Sequence, residues 1–257
     1  MSAPSVVAHH NPALLARAVA ARLVTRLVDA QSARGSASAV LTGGGIGMAV
    51  LEELRESPAR DAVDWRRLDI WWGDERFLPS GHPERNETQA RLALLDAVPT
   101  ATERVHPMPP SDGSDDDDAE AAAERYSVAL KAAARPEDHG DVPAFDVLLL
   151  GVGPDGHVAS IFPGAPAAYD ERSVVAVRGA PKPPPTRLSL TFEAINSATE
   201  VWILAAGLEK APIVGLALGG AGRVQVPAAG VRGRGRTLWL LDRAAASQLP
   251  AELRTPW

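Results

Sequence analysis

The chain has 257 residues, 46% hydrophobic and 23% charged, enough to bury the core of one α/β domain or of two small ones. A net charge of −6 argues against a general nucleic-acid binder, which needs a basic surface for phosphates, although a local cationic pocket for a small anion stays open. The absence of cysteine excludes disulfides and thiolate metal sites and fits a reducing, cytoplasmic setting.

The first predicted element is a helix over NPALLARAVAARLVTRLVDA, with Asn11 as cap and Pro12 in the first turn. Its three arginines and late first acid also have the look of a transit peptide. The recurrence of Leu15, Val19, Leu23 and Leu27 every four residues favours the helix. Short apolar runs then read as strands: SAVL (38–41), LDIWW (68–72), FDVLLL (145–150), RLSLT (187–191), VWILAA (201–206) and TLWLLD (237–242). Several are apolar on both faces, as strands of a covered parallel sheet are.

Helical patterns lie between them, near 47–57, 87–96, 116–134 and 208–218. Asn86 with Gln89 resembles a capping box for the second. Strand–helix alternation predicts a layered α/β fold with right-handed crossovers, and with no repeat or clean linker the expectation is one domain over 1–257. The richest apolar run, Ala211 to Gly222, falls short of the ~20 residues of a membrane helix. No membrane or nucleic-acid partner is expected.

The acidic run, Asp112 and Asp115 to Asp118, lacks the alternating ligands and glycine turn of a calcium loop. It reads as the N-terminal side of the helix that follows, where acids favour the macrodipole. PKPPPT (181–186) reads as a stiff loop bordering a cleft.

Four turns carry candidate chemistry. LTGGG (41–45) follows a strand and leads into a helix near Ile46. Its glycines allow close backbone approach to an anion, but it is neither a Walker loop nor a dinucleotide fingerprint, so a plain tight turn fits equally well. WWGDERFLP (71–79) places Asp74, Glu75 and Arg76 at the strand end where open α/β sheets bind ligands, or makes a local ion pair in an exposed turn.

GVGPDGHVASIFPG (151–164) sets His157 after a Gly-rich turn, at the start of a short predicted helix HVASIF. An imidazole there can take a proton from water near neutral pH, and Asp155 can orient it. AAGLEKA (205–211) sets Lys210 in the first turn of a helix. Arg187, opening a strand, has similar standing. His9, His10, His82, His106 and His139 show no metal-ligand spacing.

Taken one by one, each turn admits a structural reading. Jointly they place three cations, one anion-friendly loop and one histidine at the same end of successive parallel strands. A site for a phosphorylated small molecule with one acid/base group follows.

These motifs resemble those of the 6-phosphogluconolactonase family over nearly the whole chain. GVGPDGHVASIFPG is similar to the family's G-x-G-x-DGH-x-AS-L-FPG signature, and GDERFLP to its DER-x-VP segment, with Asn86 matching an asparagine that follows. LTGGG sits where the family has a glycine-rich loop. RLSLTFEAINSATEVWILAAGLEKA is similar to the stretch from its R-x-T/S-L-T strand to its G-x-x-KA turn. Gly45, Ile46 and Gly47 depart from the S/T-x-P that ends the loop in many members.

The resemblance implies a Rossmann-like α/β fold, a mostly parallel sheet flanked by helices, similar to glucosamine-6-phosphate deaminase and ribose-5-phosphate isomerase. It implies hydrolysis of 6-phospho-D-glucono-1,5-lactone in the oxidative pentose phosphate pathway, without cofactor or metal, by a monomer or weak homo-oligomer. His157 would be the general base and Asp155 its support. Thr42, Gly43, Gly44, Gly45, Asp74, Arg76, Arg187 and Lys210 would hold the substrate, chiefly its phosphate.

Two rival readings are a sugar-phosphate isomerase or deaminase on the same fold and a phosphosugar sensor without turnover. The DGH signature speaks against the first, and the paired Asp155 and His157 against the second. Ser160 lacks the G-x-S-x-G elbow of a nucleophile and reads as a small polar helix residue.

Overall fold

The computed structural model describes residues 4–138 and 140–253; His139 lies outside them. In chain order the elements are β1 (Ser5–His9), α1 (Pro12–Arg34), β2 (Ala37–Leu41), α2 (Gly44–Glu56), β3 (Leu68–Trp72) and β4 (Asp74–Arg76). They continue with α3 (Asn86–Ala93), α4 (Ala119–Ala133), β5 (Val147–Gly151), β6 (Val174–Val177) and β7 (Arg187–Leu190). The last are α5 (Phe192–Ile195), β8 (Glu200–Ala205), α6 (Ala211–Leu218) and β9 (Arg236–Asp242).

Among the described residues, six strands form a parallel sheet of order β1-β9-β8-β5-β2-β3. Alternate side chains along each strand feed two cores. Leu41, Ile70, Trp72, Leu149, Trp202 and Leu240 pack with Leu23 and Leu27 of α1 and Leu51 and Leu54 of α2. Val40, Trp71, Leu148, Leu150, Ile203 and Trp239 pack with Tyr126 and Leu130 of α4, Val214 of α6 and Leu188 of β7. Burial on both faces is why these strands show no apolar–polar alternation.

Helix α1 starts as its sequence predicts. Asn11 Oδ1 accepts the Leu14 N–H at 2.9 Å, Pro12 occupies the first turn, and Gly35 ends the helix at φ 79°. Helix α4 starts later than expected, at Ala119. Asp118 caps it by accepting the Glu120 and Ala121 N–H groups, Asp115 pairs with Arg125, and Asp112 accepts the Ser80 N–H. Three acids of the run, Asp112, Asp115 and Asp118, are thus spent on a loop hydrogen bond, an ion pair and a cap. No helix among the described residues is long and apolar enough to cross a membrane.

Three expectations are corrected. The strand opened by Arg187 is no part of the parallel sheet. It is the centre of a second, antiparallel sheet, β4-β7-β6, in which Arg76 faces Arg187 and Asp74 faces Ser189. No helix lies between β6 and β7, and a strand returning without a crossover helix pairs antiparallel.

HVASIF is not helical. Gly153 donates to the His157 carbonyl at 2.9 Å, Val158 bridges both Val152 and Ile161, and Ala159 has φ 48°, so the chain doubles back on itself. Finally, no capping box opens α3. The Glu75 carboxylate, reaching from β4, accepts the Asn86 and Glu87 N–H groups, and Gln89 turns to the Pro83 carbonyl.

Candidate active site

The loops leaving β2, β4, β5 and β8, with the loop entering β7, enclose a cleft of about 460 Å³. Thr42, Gly43, Gly44, Gly45, Asp74, Arg76, His157, Arg187 and Lys210 all line it. Asp155 stands behind His157.

After β2, Thr42 Oγ1 accepts the Gly151 N–H at 3.2 Å and ties this loop to the one after β5. Gly43 must lack a side chain, because a Cβ there would lie 2.0 Å from Asn86 Oδ1. Gly44 sits at φ 81°, a left-handed conformation that favours glycine. Helix α2 therefore begins at Gly44, two residues before Ile46, and has no side-chain cap. Its first N–H groups, beside the open space at Gly44 and Gly45, suit an anion.

After β3 the chain enters the small sheet. Asp74, 7% exposed, accepts the Ser160 hydroxyl at 2.7 Å. Asn86 Nδ2 donates to the Asp74 carbonyl at 2.8 Å, with Asp74 Oδ1 at 3.4 Å. Arg76 reaches from the cleft wall to the Glu84 carbonyl. Ser160, expected on a helix, is instead a buried donor that fixes this carboxylate.

After β5, the turn brings Asp155 Oδ1 to 2.5 Å from His157 Nδ1, and the same oxygen accepts the His157 N–H at 3.3 Å. This contact assigns the proton to Nδ1 and leaves Nε2 as the acceptor. The Phe162 ring packs 4.7 Å from the imidazole. Burial pushes the His157 pKa down; Asp155 and Asp74 oppose it, Lys182 adds to it, and the net value falls below the ordinary one. Burial alone would raise Asp155, but the charge and hydrogen bonds of His157 hold it below the usual carboxylate range. A lowered pKa favours the neutral imidazole, whose Nε2 is then the available proton acceptor.

Two further cations complete the wall. Lys210 is the residue that leads from a short 3-10 turn into α6, and burial lowers its pKa, as does Lys182, while Glu209 opposes. Arg187, 7% exposed, has Nε and Nη2 committed to the carbonyls of Pro184, Lys182 and Pro183 at 3.0–3.3 Å, and its guanidinium lies 5.9 Å from the centre of the Phe162 ring. Its pKa falls through burial, with Asp74 opposing and Arg76 adding.

Lys182, Asn86 and Phe162 also line the cleft and were not among the expected site residues. Lys182 had one signal, the proline loop expected to border a cleft. Asn86 had its place after the DER segment. Phe162 had none beyond its motif. The cleft therefore offers a neutral imidazole backed by a carboxylate, an uncapped helix start and several cations. That set can activate water beside a bound anion.

The chain matches the family model of glucosamine-6-phosphate isomerases/6-phosphogluconolactonase over residues 10–239. It is 61% identical to the 6-phosphogluconolactonase of Streptomyces coelicolor, across 98% of this chain and 97% of that one. Identity to the Mycobacterium tuberculosis 6-phosphogluconolactonase is 49%, across 93% and 95%. Among solved structures, the 6-phosphogluconolactonase of Trypanosoma brucei superposes with a TM-score of 0.81 at 30% identity, across 96% of this chain and 99% of that one. A monomeric glucosamine-6-phosphate deaminase shares the fold, with a TM-score of 0.76 at 21% identity over 95% and 99%. The fold, the order of the motifs and these likenesses agree: the chain belongs to the glucosamine-6-phosphate isomerase/6-phosphogluconolactonase family.

Proposed function

We propose that the chain hydrolyses 6-phospho-D-glucono-1,5-lactone to 6-phospho-D-gluconate, with His157 as general base. The observation that carries this reading is the 2.5 Å contact between Asp155 Oδ1 and His157 Nδ1 at the wall of a cation-lined cleft. The names of the relatives support the substrate.

His157 Nε2 takes a proton from water as its oxygen bonds to C1 of the lactone. The imidazolium that forms is stabilised by Asp155. The carbonyl π pair moves onto oxygen, giving a tetrahedral oxyanion that the site must stabilise. When that pair returns, the bond from C1 to the ring oxygen breaks and the imidazolium gives its proton to the departing oxygen. One group thus serves as base and then acid, and no covalent intermediate is required.

The 6-phosphate is held by the start of α2 at Gly44 and Gly45, with Thr42 shaping the loop and Lys210 and Arg76 supplying charge. Holding the phosphate fixes C1 beside the base, so binding energy lowers the entropic part of the barrier. Asp74, locked by Ser160 and Asn86, faces the sugar as a hydrogen-bond acceptor.

The test is hydrolysis of freshly generated lactone, with spontaneous breakdown subtracted, by wild type and His157→Ala. Acceleration that collapses in the variant is expected. Acceleration that survives would discard the base, and no acceleration by folded wild type would discard the reaction.

A further inference from the structure

Between β6 and β7 the chain runs Ala-Pro-Lys-Pro-Pro-Pro-Thr, and Lys182 is the one charged residue of residues 180–186. The four prolines fix their own φ, and the loop is closed by a bond from the Ala180 N–H to the Pro185 carbonyl at 2.9 Å. The Phe77 N–H donates to the Thr186 carbonyl at 3.1 Å and ties the loop to the end of β4. From beneath, Arg187 donates to three successive carbonyls, those of Lys182, Pro183 and Pro184. The backbone carrying Lys182 is pinned at both ends and in the middle.

The side chain of Lys182 lines the cleft with His157. No ion pair or side-chain hydrogen bond engages it among the described residues. Its charge depresses the pKa of both His157 and Lys210, and the three residues line the same cleft. Asp155 and Asp74 face His157 with opposite sign, and Arg187, Arg76, Lys210 and Glu209 complete the charged wall. The four cations, Lys182, Arg187, Arg76 and Lys210, outnumber the three carboxylates, Asp155, Asp74 and Glu209, and a net repulsion among them remains. A ligand with two negative centres relieves that repulsion, and the phosphate supplies only one. The other is the oxygen on C1, negative in the tetrahedral intermediate and again in the product carboxylate.

We propose that Lys182 is the cation that meets the oxyanion at C1, and that Arg187 is its positioning residue, acting on the loop instead of on the phosphate. The proposal rests on the lactonase reading above. It gives the proline loop a function: a flexible lysine stem on a rigid backbone keeps its ammonium over the reacting carbon.

The experiment compares Lys182→Met, Lys182→Arg, Arg187→Lys and the Lys182→Met/Arg187→Lys pair with wild type. Three quantities are read: kcat and KM on the lactone, the Kd of inorganic phosphate by calorimetry, and the imidazole titration of His157 by NMR. Lys182→Met is expected to lower kcat at least about tenfold, as loss of an oxyanion contact does, with phosphate affinity unchanged. Lys182→Arg recovers most of the rate. His157 titrates at higher pH in Lys182→Met, since a depressing charge is gone. Arg187→Lys lowers kcat in the wild-type background and adds little once Lys182 is Met.

Phosphate binding weakened by Lys182→Met with kcat intact would make Lys182 a phosphate ligand and overturn the proposal. An Arg187→Lys loss of the same size in both backgrounds would overturn the positioning role. If wild type hydrolyses no lactone, the lactonase reading fails by itself. An unchanged His157 titration in Lys182→Met then overturns the placement of Lys182 independently of turnover.

Discussion

A Cβ on Gly153 would stand 2.0 Å from Nδ1 of His157 and 2.5 Å from Oδ1 of Asp155. The glycine is therefore the floor on which the imidazole and its carboxylate meet. Gly153→Ala must push the ring off that floor. Because misplacing a catalytic group by about 1 Å can cost 10²-fold, kcat on the lactone is expected to fall by about 10² or more, with the melting temperature little changed. Steady-state kinetics beside a thermal melt check both halves.

Asp155 opposes the burial that depresses the pKa of His157. As the proposed base, His157 must be unprotonated to work, so activity is expected to fall as pH drops through its pKa. The acid limb of kcat/KM is expected below the ~6.5 of a free histidine. Asp155→Asn removes a raising influence and moves that limb further down. It also puts an amide donor beside Nδ1 that admits the wrong tautomer and removes the charge that stabilises the imidazolium, so the plateau drops by roughly 10²- to 10⁴-fold. A pH–rate profile of wild type and variant reads both effects, and a limb that moves upward instead would contradict the electrostatics.

The turn holding Asp155 and His157 was legible in the sequence because its parts are adjacent: one residue, Gly156, separates the carboxylate from the imidazole, and glycines mark the turn. The LTGGG loop was legible for the same reason. What was not legible depends on contacts between distant positions. Ser160 looked like a helix residue until Ala159, at φ 48°, and the bridge from Val158 to Ile161 folded it onto Asp74, 86 positions away. Strand β4 has three residues, too few for any period to show, and it carries β7 out of the parallel sheet. Arg187 lines the cleft, where its motif implies a substrate contact, but its hydrogen bonds to the carbonyls of Lys182, Pro183 and Pro184 depend on a loop path that the prolines alone do not dictate.

Glu75 lies between two site residues and points away from the site. Its Oε1 accepts the Arg76 and Asn86 N–H groups at 2.7 Å each, its Oε2 accepts the Glu87 N–H at 2.9 Å, and Arg85 stands 3.7 Å away. Burial pushes its pKa up from 4.5 to about 7, against the opposing pull of Arg85 and the three N–H groups. A raised pKa means the folded state holds the proton more tightly than the unfolded chain. The titration's contribution to stability is then full below 4.5 and is lost as pH rises through about 7. Glu75→Gln abolishes this dependence and puts an amide donor where an acceptor is needed, at a cost of about 3 kcal/mol from the broken buried pair. The melting-temperature gap between wild type and variant is expected to narrow between about pH 5 and about pH 8.

Asp146 closes the opposite end of the sheet, just before β5, and gives the separation of stability from activity. Its side chain is 4% exposed and accepts the Ser38 N–H at 2.9 Å, Arg26 Nη2 at 3.3 Å and Arg34 Nη2. Arg26 also pairs with Glu200 at 3.0 Å, and Glu200 takes the indole N–H of Trp202 at 2.9 Å, so the cluster fastens α1, β2 and β8 to the foot of β5. Asp146→Ala leaves a half-buried Arg26 with one partner fewer and the Ser38 N–H without its carboxylate. The expected loss is about 3 kcal/mol, toward the lower end for a broken buried pair because Arg34 is half in solvent. A urea midpoint lowered at unchanged slope would report it. The cleft lies at the other end of the same strands, so kcat and KM of the folded variant should match wild type. A drop in kcat under native conditions would mean that the foot of β5 sets the position of the Gly151–His157 turn, and that the two ends of this strand are mechanically coupled.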